Sequence, residues 1–242
     1  MSRESMRPYG AALLDYFNGD RGAALSYERD DGSVWEEPVS VFFRPPAEFF
    51  RLEHTALGLC RGDTLDIGAG AGVHSLVLQE RGMDVTAIDI SPEAVAVMSK
   101  SGVVNPRCAD VFNFSGKRFD TLLMLGRGIG MVGDLKGLAY FLRDVRRLLK
   151  SGGQLILNSC SPAPPPVPEE VSRPGVNVAA GRYIGEIGLR LFYKGIEGAP
   201  FSWLHVDPET LSGYAFKAGW QTEIVEREED GNYLARLTAP DG

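Results

Sequence analysis

Cysteine is scarce in this 242-residue chain, and the three cysteines present are not arranged in pairs. Cys60, Cys108 and Cys160 lie far apart and form no CxxC motif. Structural disulfides and thiolate metal sites depend on paired cysteines, so the pattern indicates free thiols in a reducing compartment. The histidines, cysteines and acids also lack the short spacings that bind metal ions, and the sequence therefore predicts no metal site.

Long hydrophobic runs and an excess of positive charge are missing as well. The opening segment MSRESMRPYGAALLDYF lacks the apolar core of a signal peptide, and no run approaches membrane-spanning length. The formal net charge is −7, whereas proteins that bind phosphate backbones carry a basic balance or stripe. The densest basic cluster (Arg143, Arg146, Arg147 and Lys150) is interpreted as the solvated face of a helix. We expect a cytoplasmic protein that binds neither nucleic acid nor membranes.

The chain does have the composition of a globular α/β domain, with 44% hydrophobic and 24% charged residues. Residues 1–62 have the patterns of two helices and of a hairpin that turns at Asp31-Gly32. They are predicted to form a cap that is too small to fold alone. From residue 63 to residue 242, strand and helix patterns alternate, which predicts a parallel sheet covered by helices on both faces.

Two features interrupt this alternation in the second half of the chain. The segment DLKGLAYFLRDVRRLLKSGG predicts the longest helix, closed by Gly152. After the next strand, SPAPPPVPEEVSRPG fits neither strand nor helix because proline removes backbone donors. It is interpreted as a stiff loop, with a polyproline ligand as the alternative. Extra strands follow, so that residues 161–206 form an insertion before the last helix and hairpin.

The stretch TLDIGAGAGVHS has a strand, a glycine-rich turn and a helix start. A dinucleotide fingerprint, GxGxxG/A, needs a third glycine or alanine where this chain has Val73. Asp66 lies two residues before the first glycine, where it would repel a pyrophosphate and attract a cation. The turn therefore favours a cationic ligand without phosphate.

Acids also end the next two predicted strands. Asp89, in AIDIS, ends the second predicted strand, where a carboxylate can accept hydrogen bonds from a ribose diol. Asp110, in CADVF, ends the third. Either acid alone could simply cap the next helix. Three acids at the ends of successive strands, in register with a glycine-rich turn, instead predict a nucleoside site.

The motifs LDIGAGAG, AIDIS, ADVF and FDTLLMLG, in this order and spacing, resemble those of the class I S-adenosylmethionine-dependent methyltransferases. The resemblance implies a doubly wound, Rossmann-like sheet of seven strands, mostly parallel with the last antiparallel, and S-adenosylmethionine as cofactor. It implies that Asp66 and the glycine turn serve the amino-acid and sulfonium side, Asp89 the ribose, and Asp110 with Val111 the adenine. The implied cofactor-binding residues are Asp66, Gly68, Ala69, Gly70, Asp89, Ile90, Asp110, Val111, Leu125 and Gly126.

Methyl transfer requires in-line alignment, and an oxygen, nitrogen or carbon nucleophile also needs a base if it must lose a proton. His74, at the start of the helix after the glycine turn, and His205, in the insertion, are candidate bases. Arg127, after the fourth strand, is a candidate for binding an acidic or phenolate substrate. For all three, an ordinary packing or surface role is the alternative. Aromatic residues of the first helix, Tyr9 among them, could contact the sulfonium or simply pack.

The acidic chain, its short cap and the inserted strands predict a small-molecule metabolite as substrate. Two other functions stay open at this point. One is an NAD(P)-dependent oxidoreductase, against which Asp66 and Val73 argue. The other is a non-catalytic, S-adenosylmethionine-binding regulatory protein, because the sequence identifies the cofactor site more clearly than the base.

Overall fold

A computed structural model describes residues 1–162, 177 and 181–239. The helices in this part of the chain are α1 (Arg7–Phe17), α2 (Arg51–Leu59), α3 (Val73–Glu80), α4 (Pro92–Ser101), α5 (Leu135–Asp144) and α6 (Pro208–Lys217). The strands are β1 (Ala24–Arg29), β2 (Val34–Pro38), β3 (Thr64–Ile67), β4 (Val85–Asp89), β5 (Pro106–Cys108), β6 (Phe119–Met124), β7 (Leu149–Cys160), β8 (Glu186–Tyr193), β9 (Ile196–Glu197), β10 (Phe201–Leu204), β11 (Gln221–Arg227) and β12 (Asn232–Thr238). Within the described residues, no helix combines the length and apolar composition needed to cross a bilayer.

The central sheet has seven strands in the order β11-β12-β7-β6-β3-β4-β5. The pairs from β7 to β5 are parallel, and β12 is antiparallel to both of its neighbours. This confirms the predicted seven-stranded, mostly parallel sheet with an antiparallel last strand. Strands β3 and β4 are buried at every position and β6 at all but Asp120, as expected for parallel strands covered on both faces. The carboxyl ends of β3, β4, β5 and β6 therefore meet at one edge of the sheet.

A second, antiparallel sheet lies outside this frame, in the order β10-β8-β1-β2 with β9 paired to β8. Strand β1 comes from the N-terminal hairpin and β8 from the inserted strands, and Ser26 pairs with Phe192. The sequence predicts the N-terminal hairpin and the inserted strands as two separate units, whereas in the structure both contribute strands to one sheet. The chain division at residue 62 and the insertion bounds 161–206 stay predictions, and the proline-rich part from 163 to 175 lies outside the described residues.

Two of the helix starts follow directly from local sequence. The Ser91 hydroxyl accepts from the Ala94 N–H at 3.2 Å, with Pro92 at the first helical position of α4. The Asp207 carboxylate accepts from the Thr210 N–H at 2.8 Å at the start of α6. These caps fix where each helix leaves the sheet edge.

The helix predicted to be the longest is shorter than expected. Helix α5 ends at Asp144, a 3₁₀ turn covers Val145–Leu148, and β7 begins at Leu149. The apolar stripe continues because Leu148 and Leu149 both reach the core, so its helical spacing does not by itself require α-helix. Gly152, predicted as the end of the helix, lies in the β7 strand with a φ of +68°.

The basic cluster is not simply a solvated face. The Arg147 guanidinium donates to the carbonyl of Val111 at 2.7 Å, behind the loop that follows β5. Lys150 Nζ lies 2.7 Å from Asp63 Oδ2 and 2.8 Å from Asp120 Oδ2, at the amino ends of β3 and β6. Arg147 and Lys150 thus join separate elements of the fold. The interpretation of the whole cluster as a solvated helix face is therefore wrong for these two residues.

Candidate cofactor site and active-site crevice

The glycine-rich turn between β3 and α3 has a backbone that favours glycine. Gly68, Gly70 and Gly72 have φ values of +72°, +57° and +82°, a region that other residues enter only at a cost. The N–H groups of Gly68 and Ala69 both donate to the Ile88 carbonyl, at 2.9 and 3.0 Å. The turn is thereby tied to the end of β4, beside the next acid.

Asp89 is buried and holds the turn in place. Its Oδ2 accepts from the Gly70 N–H at 3.0 Å, and its Oδ1 accepts from the Ser91 N–H at 2.8 Å. Burial raises the pKa of Asp89, aided by the charge of Asp66 and opposed by these backbone hydrogen bonds. Each carboxylate oxygen has two lone pairs, so Asp89 has acceptor capacity left for ligand hydroxyls.

Asp66 and Asp110 occupy the strand ends on either side of β4. Asp66 is 2% exposed and accepts from the Ser75 hydroxyl at 2.7 Å, and burial raises its pKa. Asp110 is half-buried and accepts from the Phe112 N–H at 3.0 Å. Part of each acid's role is therefore to fix the adjoining loop.

The structure leaves room for a ligand beside this edge. A Cβ added to Gly68 or to Gly126 would meet no atom of the described residues within 4 Å. Gly126 follows β6 with a φ of +65°, next to buried Leu125. A ligand can thus approach the backbone closely at the carboxyl ends of β3 and β6. The edge gathers all the predicted cofactor-binding residues, at Asp66 to Gly70, Asp89 and Ile90, Asp110 and Val111, and Leu125 and Gly126.

Tyr9 of α1 covers the glycine turn. A Cβ on Gly70 would lie 2.5 Å from the Tyr9 hydroxyl oxygen, so the phenol lies directly over this glycine. The Tyr9 ring makes an edge contact with Phe42, at 5.1 Å between ring centroids. Burial, followed by the charge of Asp89, raises the pKa of Tyr9 well above its ordinary value. Tyr16 instead packs against Phe43 at 4.7 Å, which the sequence alone could not distinguish.

His74 is bound into a buried charge network on the α2 side of the crevice. Its Nε2 lies 2.7 Å from Glu53 Oε1. Glu53 is 8% exposed, pairs with Arg44 at 2.9 Å and accepts from the Phe50 N–H at 2.8 Å. The role of Glu53 escaped the sequence analysis because its spacing from His74 matches no local motif.

Arg127 follows β6, the strand that pairs with β3. Its φ is +58°, a left-handed conformation that costs a non-glycine residue roughly 1–2 kcal/mol. Its N–H donates to Asn158 Oδ1 at 2.9 Å, and its Nε donates to Asn232 Oδ1 at 2.9 Å. Arg127 is therefore anchored on β7 and β12.

His205 follows β10 and lies next to the carboxyl end of β7. Its N–H donates to the Gly185 carbonyl at 2.9 Å, and the following Val206 N–H donates to Ser159 Oγ at 3.3 Å. The three candidate catalytic residues thus come from three different parts of the fold, after β3, after β6 and after β10.

The chain resembles known methyltransferases along its whole length. A family model described as a methyltransferase domain matches residues 65–157. The crystal structure of an S-adenosylmethionine-dependent methyltransferase from Bacteroides fragilis, in complex with S-adenosyl-L-homocysteine, is 36% identical, with a TM-score of 0.86 and coverage of 99% of this chain and 97% of that one.

Two relatives found by sequence are named for quinone methylation. Ubiquinone biosynthesis O-methyltransferase from Xanthomonas euvesicatoria is 28% identical over 236 residues, covering 91% of this chain and 93% of that one. Demethylmenaquinone methyltransferase from Tropheryma whipplei is 30% identical over 127 residues, covering 48% of this chain and 49% of that one. The second match thus spans only about half of the length of that relative.

These similarities agree with the site geometry and decide between methyl transfer and hydride transfer. The glycine turn and the three strand-end acids lie within the matched region, and the antiparallel strand β12 pairs with β7, which belongs to that region except for its last residues. The chain belongs to the family of S-adenosylmethionine-dependent methyltransferases, and it is an enzyme whose cofactor is S-adenosylmethionine.

Proposed function

We propose that this enzyme transfers the methyl group of S-adenosylmethionine to an oxygen, nitrogen or carbon nucleophile of a small-molecule metabolite. The observation that carries the proposal is the cover over the glycine turn, where Tyr9 stands directly on Gly70. A crevice covered in this way suits a small acceptor better than a macromolecule. The relative named for ubiquinone biosynthesis O-methyltransferase also supports a small substrate.

The residues at the sheet edge fit this cofactor. Asp89 would accept hydrogen bonds from the ribose hydroxyls, and Asp110 with Val111 would hold the adenine. Asp66 and the backbone of the glycine turn would serve the cationic amino-acid and sulfonium side, since acids stabilise a cation in a buried site. Leu125 and its neighbour Gly126 would pass beside the methionine portion. A Cβ on Gly126 would meet no atom of the described residues within 4 Å, so there is room for a ligand.

When bound, the cofactor supplies an electrophilic methyl group, so the main work of the protein is to align donor and acceptor. Among the candidate bases we favour His74, with His205 as the alternative. Glu53 fixes one ring nitrogen of His74 at 2.7 Å. With Nε2 donating to Glu53, Nδ1 is the nitrogen that would take a proton from the acceptor.

Two experiments test this function. Calorimetric titration with S-adenosylmethionine, S-adenosylhomocysteine and NAD⁺ should give micromolar binding of the two sulfur ligands only. Incubation with methyl-labelled cofactor and a cell extract, separated into low-mass metabolites, protein and nucleic acid, should then place the label in the metabolite fraction. Label in protein or nucleic acid alone would refute the small-molecule proposal, and cofactor binding without any transfer would favour a regulatory role.

A further inference from the structure

Arg127 occupies a position where the backbone alone would favour glycine or asparagine. Its φ and ψ are +58° and +27°, and it stands between Gly126 and Gly128. Such conformations cluster at ligand sites, where the surrounding structure maintains them for a purpose. An arginine held here implies that its side chain contributes something that glycine or asparagine would not.

The Arg127 side chain is fixed in one orientation by residues of the β11–β12 hairpin. Its Nε donates to Asn232 Oδ1 at 2.9 Å. Asn232 is itself held by Asp230, whose Oδ1 accepts from the Asn232 N–H at 3.0 Å and whose Oδ2 accepts from the Asn232 side-chain amide. Because the Asn232 side-chain N–H donates to Asp230, the side-chain oxygen Oδ1 is the atom that faces the guanidinium.

The two terminal nitrogens of Arg127 are left for a ligand. The Arg127 side chain is exposed, and within residues 1–162, 177 and 181–239 neither Nη1 nor Nη2 makes a hydrogen bond or an ion pair. Burial raises the pKa of Glu228, followed by the charges of Asp230 and Glu226, and the charge of Arg127 opposes this rise.

We propose that the substrate carries a carboxylate and that Arg127 binds it through Nη1 and Nη2, with Asn232 and Asp230 as positioning residues. A guanidinium whose Nε is already taken presents its outer two nitrogens as a fork that matches a carboxylate. Arg127 directly follows Gly126, at the carboxyl edge of the sheet where the predicted cofactor-binding residues lie. An acid bound to Arg127 would therefore lie within the crevice. This inference rests on the proposed function and narrows its substrate class.

The test uses the full chain saturated with S-adenosylhomocysteine and a probe panel of acetate, benzoate and 4-hydroxybenzoate. Each acid is paired with its neutral amide, and binding is followed by ligand-observed NMR at fixed ionic strength. The wild type should bind at least one acid at least about tenfold more tightly than its amide, as for a charge-assisted pair. R127N should lose this preference while keeping its affinity for S-adenosylhomocysteine, because asparagine tolerates the left-handed backbone.

Two further variants separate positioning from general loss of charge. N232D keeps an acceptor for Nε but places a carboxylate beside the guanidinium and removes the donor to Asp230 Oδ2. Because the added negative charge opposes a bound carboxylate, it should abolish acid binding without changing amide binding. R107N is the matched control, since Arg107 Nε also donates to an asparagine, Asn105 Oδ1, at 2.9 Å. It should leave the preference for acids intact.

The outcomes distinguish the two levels of the argument. Binding of S-adenosylhomocysteine without any preference for acids, or a preference that survives in R127N, would overturn the carboxylate assignment and leave the methyltransferase function standing. A wild-type protein that does not bind S-adenosylhomocysteine would overturn the proposed function, and the carboxylate site with it.

Discussion

Replacing Gly70 with alanine should damage the site for two separable reasons. The new Cβ would lie 2.5 Å from the Tyr9 hydroxyl oxygen, and the residue would have to keep a φ of +57°. The left-handed backbone costs an alanine roughly 1–2 kcal/mol. Moving Tyr9 by about 1 Å against Phe42 costs about 1–3 kcal/mol, the range for overpacking a tight site. The expected loss of folding free energy is therefore about 2–5 kcal/mol.

The Tyr9→Phe variant separates these two costs. It removes the hydroxyl that the new Cβ meets, so the double variant should recover the overpacking part and keep the backbone part. Urea unfolding of the wild type, G70A, Y9F and the double variant measures the coupling between the two sites, and titration with S-adenosylhomocysteine follows the cofactor site. If the costs of the two single changes simply add, Tyr9 does not lie over Gly70 and the reasoning about the cover is wrong.

Two further predictions concern the acids around the crevice. Asp89→Ala should weaken the binding of S-adenosylhomocysteine by about 1.5–3 kcal/mol, the range for hydrogen bonds to a charged group, and unchanged calorimetric affinity would exclude Asp89 as the ribose contact. Burial raises the pKa of Glu53, but hydrogen bonds from His74 and the Phe50 N–H, and the charges of His74 and Arg44, outweigh it and give a net lowering. Its stabilising effect is therefore present above the ordinary glutamate pKa of about 4.3 and is lost as the pH falls through the lower folded value. Melting temperatures measured between about pH 3 and pH 7 should fall less steeply on acidification for Glu53→Gln than for the wild type, and parallel curves would contradict this account.

The cofactor edge could be predicted from the sequence because it depends on local patterns. The glycine turn directly follows β3, the acids Asp66, Asp89 and Asp110 lie at or within two residues of the end of a strand, and parallel strands bring their carboxyl ends together at one edge. Once the alternation of strands and helices is recognised, these residues must be neighbours. No long-range side-chain contact has to be known.

The end of helix α5 illustrates the limit of periodicity. The apolar stripe continues past Asp144 because the chain keeps facing the core, although the backbone changes from α-helix to a 3₁₀ turn and then to strand. The spacing of apolar residues indicates which side chains are buried. It does not by itself indicate the backbone conformation of the segment that carries them.

The sequence by itself determined the sheet, the glycine turn and the acids at the strand ends, because each depends on residues a few positions apart. The tertiary structure alone decided what surrounds that edge. It pairs β1 with β8 across more than half the chain, places Tyr9 on Gly70, orients His74 through Glu53 and fixes Arg127 through Asn232. These contacts join residues from 21 positions apart, for Glu53 and His74, to 166 positions apart, for Ser26 and Phe192. They depend on which faces of distant elements pack together, a property that no local spacing specifies.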